Sequence, residues 1–315
     1  MARLVTFLRE AMRRKSVVVL GGLALAVVVL ASAQALRPQG PAFSGFDRAI
    51  VDLEERVRAN PQDVEARLAV ALAYGERGLN ARAAEQFEEV LVLDKDNQIA
   101  LVGLGKVKFE LKDYQGAERP LKRVIELNET SERRLAIDQL QEAQHYLARI
   151  YVELRQYDAA AVAARDALKM NGSDADTWRV LGDIEQKRGD YAAAEQAYMS
   201  AISFVPNYVE VYRELDRVYQ TTKRDGARQW AQGMVLLADQ TPAKAVPRLQ
   251  DAVRLEPGFA EAHQGLGMAY ESTGRLDEAL ASYRRALELS PGLFLSTDAV
   301  RRLEAAIASR PENAR

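Results

Sequence analysis

Along most of this chain, hydrophobic positions recur at the three- and four-residue steps of amphipathic helices, and the pattern repeats with a period of about 34 residues. Its clearest unit runs from Trp178 to Pro206. Trp178, Leu181 and Gly182 fall on a first helix, Gly189 and Tyr191 at a turn, and Ala194, Tyr198 and Ala201 on a second helix that Pro206 ends. The residue types have packing reasons. Small residues at 182, 194 and 201 let two helices approach closely, Trp178 and Tyr198 fill the space between them, and proline cannot continue a helix.

The same pattern recurs in Leu266, Gly267, Tyr270, Gly274, Ala279, Tyr283, Ala286 and Pro291. Earlier units read as Val70, Ala71, Tyr74, Gly78, Ala83 and Phe87, then Leu104, Gly105, Tyr114 and Ala117, then Leu147, Ala148, Tyr151, Tyr157, Ala160 and Ala167. A weaker unit has Trp230, Gly233, Leu236, Leu249, Ala252 and Pro257. These units resemble the tetratricopeptide repeat (TPR) consensus, from roughly Ala49 to Arg310. The resemblance implies an all-α superhelix of helix-turn-helix units over residues 46–315, about six repeats with capping helices at the ends. The last cap falls near 296–310, and FDRAIVDLEERVRANP at the front resembles a second helix alone.

Two places depart from the period. About nine extra residues separate the second and third units, where SERRLAIDQLQEAQHYLARIYVEL reads as one long helix. Between Pro206 and Gly226, residues near 208–220 read as an unpaired half-repeat helix, which is expected to bend or break the superhelix.

The N-terminus is patterned differently. Residues 1–15 are cationic, with Arg3, Arg9, Arg13, Arg14 and Lys15 against Glu10, and Ser16–Leu36 is uncharged. As a helix that segment spans roughly 30 Å, a bilayer core. It predicts a single transmembrane signal anchor over 16–36, preceding the superhelix, with a linker over 37–45. By the positive-inside rule, the N-terminus would be cytoplasmic and the array would stand on the extracytoplasmic side of the inner membrane, in the periplasm of a bacterium. A cleaved signal peptide is the competing reading, since Ala31-Ser32-Ala33 and Ala33-Gln34-Ala35 both fit a cleavage site.

Composition narrows the function classes. Hydrophobic residues are 48% and charged residues 28%, enough for a packed helical protein. The formal charge is -2, so with a cationic N-terminus the remainder is mildly acidic and predicts no nucleic-acid partner. Cysteine is absent, which removes disulfides, thiolate metal sites and cysteine nucleophiles. His145 and His263 are the two histidines, far apart and without a second ligand at metal spacing. There is no glycine-rich phosphate loop, and no catalytic constellation. The expectation is a non-enzyme without cofactor or metal.

The resemblance implies a groove lined by first helices that binds a protein or peptide. Its register puts Lys106, Phe109, His145, Arg149, Arg179 and Lys187 on that side, where cations can hold an acidic tail or a terminal carboxylate. The same residues also read as a solvated face with ion pairs to Glu110, Glu153 and Asp183. Trp230, Met234, Leu237 and Met268 fall at groove positions further on, suited to an amphipathic helix, unless the half-repeat packs over them. The functional expectation is a membrane-anchored scaffold, an assembly factor or accessory subunit of a membrane complex. The alternatives are a permanent structural subunit held through its membrane helix, and a cytochrome c maturation-like periplasmic chaperone, which IVDLEERVRANPQDVEARLAVALAYGERG resembles.

Overall fold

A computed structural model describes residues 45–130 and 138–309. The chain divides into two compact units at Asn60 and Pro61. In the first, α1 (Gly45–Ala59) is an amphipathic helix with an Arg58–Glu54 ion pair of 3.3 Å on its surface. The second unit holds α2 (Val64–Glu76), α3 (Asn80–Leu93), α4 (Gln98–Glu110), α5 (Tyr114–Asn128), α6 (Asp138–Glu153), α7 (Tyr157–Met170) and α8 (Ala175–Arg188). It continues with α9 (Tyr191–Phe204), α10 (Val209–Thr222), α11 (Asp225–Ala238), α12 (Pro242–Leu255), α13 (Ala260–Ser272), α14 (Leu276–Leu289) and α15 (Phe294–Ala308). Of the long helix expected from Ser131, the described part begins at Asp138; residues 131–137 lie outside the described residues.

The expected single transmembrane helix before the solenoid is corrected. Among the described residues no helix is long and apolar enough to cross a membrane. The longest, α6, has 16 residues, about 24 Å at 1.5 Å per residue, short of the roughly 30 Å of a bilayer core. Residues 16–36, on which the anchor rested, lie outside the described residues. The membrane as a partner, the inner-membrane and periplasmic placement, and the membrane-dependent functions fall with the anchor.

Short polar residues start many of the helices. Asp63, Asn97, Asp113 and Asp190 each accept a hydrogen bond from a backbone N–H three residues on, at 2.9–3.0 Å, and Asp174 accepts from Asp176 and Thr177. Each such cap stabilises its helix by about 1 kcal/mol. Within a repeat, the two helices meet where a small residue on the first faces a large one on the second. A methyl group added at Gly182 would lie 2.4 Å from Tyr198 Cε1, and the pairs Gly105–Leu121, Gly233–Leu249 and Gly267–Tyr283 meet in the same way. The core this builds is continuous across neighbouring repeats, with Trp178 packed against the clusters on both sides of it.

The turn inside each repeat carries one residue in the left-handed backbone conformation. These residues are Gly78, Lys112, Arg155, Gly189, Lys223, Gln240 and Gly274. Successive members stand one full repeat apart, with two exceptions: the step from Lys112 to Arg155 is longer, and the step from Lys223 to Gln240 is half a repeat. α11 lies within that half-repeat step. It starts like a second helix, from Arg224 at φ -93°, ψ 79°, close to Asp190 at φ -85°, ψ 78° before α9. It ends like a first helix, at Asp239 with φ -75°, ψ 10°, close to Leu111 at φ -77°, ψ -1° after α4. α11 is therefore the second helix of one repeat and the first helix of the next.

This sharing exchanges the two layers of the solenoid. Up to α10 the even-numbered helices are the first helices, and α2, α4, α6, α8 and α10 pack on one another in sequence. From α11 onward the odd-numbered helices take that part, and α11 packs on α13. The face made by first helices passes from one layer to the other at the α10–α11 junction. Arg224 fixes that junction, donating to Glu195 at 2.7 Å and Glu256 at 3.1 Å, with its guanidinium 5.0 Å from the Tyr219 ring and 5.5 Å from Phe259.

Candidate partner-binding faces

On α4 and α6 an aromatic and cationic cluster forms the first-helix face of the early repeats. The Arg149 guanidinium lies 4.3 Å from the Phe109 ring centre and 5.1 Å from that of Tyr146. Phe109 and Tyr146 meet edge to face at 5.9 Å. The nearest carboxylate ion pair of Arg149, to Glu110, is 4.0 Å long, too far for a hydrogen bond. Two rings thus hold the guanidinium in place while its donors stay largely unspent. Lys106 stands beside it, 5.6 Å from the Tyr146 ring, exposed and bonded to Glu142 at 3.0 Å.

Next to this cluster is a cavity of about 250 Å³ whose lining includes Leu72, Gly75, Phe87, Gly103, Lys106 and Glu110. Gly103 opens it onto the Phe87 ring, because a methyl group there would lie 2.3 Å from Phe87 Cζ. The cavity therefore has an apolar floor and a charged rim.

Of the remaining predicted residues of this face, His145 and Arg179 are engaged within the protein. His145 Nδ1 is 2.6 Å from Thr177 Oγ1, and Thr177 donates to Asp174 at 2.7 Å. With that hydroxyl proton committed to Asp174, Nδ1 is the donor; burial lowers the pKa of the ring below the usual histidine range. Arg179 donates to Tyr208 at 3.0 Å and to Asp183 at 2.7 Å, and Tyr208 donates to Asp176. Arg179 thereby ties α8 to the start of α10. Burial raises the pKa of Asp183, which also accepts from Tyr198 at 2.7 Å. Lys187 is exposed one turn beyond Asp183.

The second predicted group does not share a face with the first. Trp230 is 2% exposed, with its ring edge-on to Tyr212 at 5.6 Å, Tyr219 at 6.4 Å and Phe259 at 5.2 Å. Met234 is also buried, and Leu237 and Met268 are half-buried. Tyr212 and Tyr219 come from α10, so the preceding helix does pack over Trp230. Beside them a groove of about 560 Å³ opens, lined by α9, α11, α13 and the start of α15, with Tyr212 and Trp230 in its lining. Met199, Ser203, Met234, Met268 and Phe294 all line it. Met199 lies on a second helix, where a search along first helices alone does not look.

Among the described residues no group of three or more histidine or carboxylate side chains is gathered for a metal ion.

The paired helices and their left-handed turns define a helix-turn-helix repeat solenoid. Residues 48–211 match the family described as the tetratricopeptide repeat protein 21 C-terminal ARM domain, and residues 231–293 match a tetratricopeptide repeat family. The first match spans more than half of the chain, which belongs to this tetratricopeptide repeat family. Curated relatives include anaphase-promoting complex subunit 3 of Schizosaccharomyces pombe, 22% identical over 205 residues, 65% of this chain and 27% of that protein. Cellulose synthase operon protein C of Escherichia coli strain K12 is 32% identical over 102 residues, 29% of this chain and 9% of that protein. The chain spans about a quarter or less of these relatives. Among solved structures, Pseudomonas aeruginosa PilF is similar with a TM-score of 0.49 and 18% identity, over 69% of this chain and 87% of that one. The Cut9–Hcn1 hetero-tetramer of the APC/C has a TM-score of 0.44 and 14% identity, over 82% of this chain and 46% of that one.

Proposed function

We propose that the protein is a scaffold that holds an extended segment of a partner protein on the first-helix face of α2, α4 and α6. The segment would place a carboxylate on Arg149 and an apolar side chain in the neighbouring cavity over Phe87. The observation that carries this reading is the state of Arg149, ordered by Phe109 and Tyr146 yet joined to Glu110 only at 4.0 Å. Its guanidinium geometry suits two-point recognition of a carboxylate, and little side-chain entropy remains to be lost on binding. Lys106, paired with Glu142, lines the cavity together with Glu76 and Glu110, so the carboxylate falls to Arg149 and the cavity takes the apolar side chain. Membership of a tetratricopeptide repeat family supports a binding role of this kind, and the particular partner does not follow from the fold.

The test is fluorescence anisotropy with labelled nine-residue peptides that carry one leucine and three aspartates, a set in which the leucine position varies. Binding that weakens about tenfold or more in Arg149→Gln and in Leu72→Glu, with helicity unchanged, supports the site; tenfold corresponds to about 1.4 kcal/mol. Equal binding by the wild type and both variants, or no binding to the wild type, removes it.

A further inference from the structure

The layer exchange at α11 leaves a second face that the Arg149 site does not use. α9, a second helix, stands as one wall, α11 and α13 form the floor, and the start of α15 is the other wall. In an uninterrupted array α9 and α13 would belong to a second-helix layer. Because α11 serves as both kinds of helix, the outer layer of the early repeats becomes the inner layer of the late ones, and a groove forms where the two meet.

The lining has a defined chemistry. Of the six methionines in the sequence three, Met199, Met234 and Met268, line this one groove. Phe294 and Leu295 enter it from α15 while 78% and 47% exposed, an unusual state for two adjacent large apolar residues at a helix start. Gly265 opens the floor, since a methyl group there would lie 3.0 Å from Met234 Sδ. The polar part of the lining is neutral, with Gln196, Ser200, Ser203 and Gln264, and its single ionic side chain is Glu261.

We propose that this groove is a second docking site, separate from the Arg149 face, and that its occupant is an amphipathic α-helix of a partner protein with a leucine-rich face and a basic flank. Three arguments select that occupant. The floor is two packed helices, whose side-chain ridges and grooves are the surface onto which a further α-helix packs. Methionine thioethers give adaptable apolar contact suited to leucines at helical spacing. Glu261, as the one charge of the lining, favours a lysine or arginine and disfavours an acidic ligand. An acidic extended segment and a basic helix are then recognised on different layers, so both can be held at once.

The test uses the full chain and labelled 18-residue peptides in anisotropy at physiological salt. One peptide has leucines at i, i+3, i+4 and i+7 and lysines on the other face; a second has glutamates for the lysines; a third is a scramble of the first. The proposal expects the lysine helix to bind at least tenfold tighter than the scramble and the glutamate helix. It also expects Met268→Glu and Phe294→Ser each to weaken that binding about tenfold, with circular dichroism unchanged and Arg149→Gln without effect. Equal binding of helix and scramble, tighter binding of the glutamate helix, or full affinity in both groove variants overturns it. A Phe294→Ser change sits on an exposed side chain, so it tests the groove even where a charge at Met268 disturbs folding. Failure of the aspartate peptides alone leaves this result standing, because the two sites share no lining residue.

Discussion

Lys223 and Gln240 stand half a repeat apart with the same left-handed backbone, φ 56° at each, and both are turns of a kind that elsewhere recurs once per repeat. Two turns half a period apart require the one helix between them to close one repeat and open the next. α11 is that helix, and the exchange of layers that follows from it separates the Arg149 face from the methionine groove.

The left-handed turns differ in what they cost. A side chain in this conformation carries about 1 kcal/mol of strain that glycine does not. Gln240→Gly is therefore expected to leave stability unchanged or raise it by up to about 1 kcal/mol, since the greater freedom of glycine in the unfolded chain offsets part of the relief. Gly189→Ala, at φ 82°, is expected to lower it by about 1 kcal/mol or more. Urea midpoints of the two variants measured side by side check the sign; a destabilised Gln240→Gly with a neutral Gly189→Ala contradicts this account.

Gly182 is a packing glycine, not a turn glycine. A methyl group there meets the Tyr198 ring at 2.4 Å, and Tyr198 is fully buried with its hydroxyl held by Asp183, so the ring has nowhere to retreat. Gly182→Ala is expected to cost about 1–3 kcal/mol by forcing α8 and α9 apart. Gly267→Ala meets Tyr283 at 2.9 Å and should cost less. Chemical denaturation of both variants gives the order, and an equal or reversed ranking rejects close approach as the reason for these glycines.

Arg224 joins three helices' worth of structure at the shared helix. Its loss leaves Glu195 and Glu256 without their common partner, although Tyr219 still donates to Glu195 at 3.0 Å and the Ala227 N–H to Glu256 at 3.2 Å. Since these carboxylates are roughly a quarter exposed, Arg224→Met should cost on the order of 1–2 kcal/mol, less than a fully buried pair would. Hydrogen exchange should show the loss concentrated in α10 to α12; protection that falls evenly along the solenoid would assign Arg224 no special place.

The repeats were legible in the sequence because small and large residues recur at fixed positions, and Gly182 with Tyr198 or Gly267 with Tyr283 signals a helix pair directly. At the junction the same two positions hold Asp216 and Gln232. They meet through a hydrogen bond of 2.8 Å, with Arg228 also donating to Asp216 at 3.1 Å. A polar pair at a packing position carries no small-to-large signal, so residues 208–220 read as an unpaired helix and α11 as the plain start of a repeat. The site predictions divide for that reason. Lys106, Phe109 and Arg149 come together on one face, whereas Trp230 packs on Tyr212 and Tyr219 while lining the groove with Met234 and Met268, because α11 is also a second helix. Met199 and Phe294 carried no signal, since the face to which they belong exists only once the layers have exchanged.

His145 gives the fold a dependence on pH. Burial lowers its pKa below the roughly 6.5 of the unfolded chain, and His263 is lowered by burial in the same sense. A depressed histidine contributes stability that is fully present above the unfolded value and is lost as pH falls through the folded value, because the unfolded chain takes up the proton first. The protein should therefore be less stable at pH 5.5 than at pH 7, before carboxylates begin to titrate in number. His145→Gln, which keeps a side-chain donor for Thr177 but cannot take up a proton, should reduce the difference, with His263 supplying the remainder. Urea midpoints at the two pH values measure it. A wild type more stable at pH 5.5, or a difference untouched in the double variant His145→Gln/His263→Gln, would show that neither ring is held neutral by the fold.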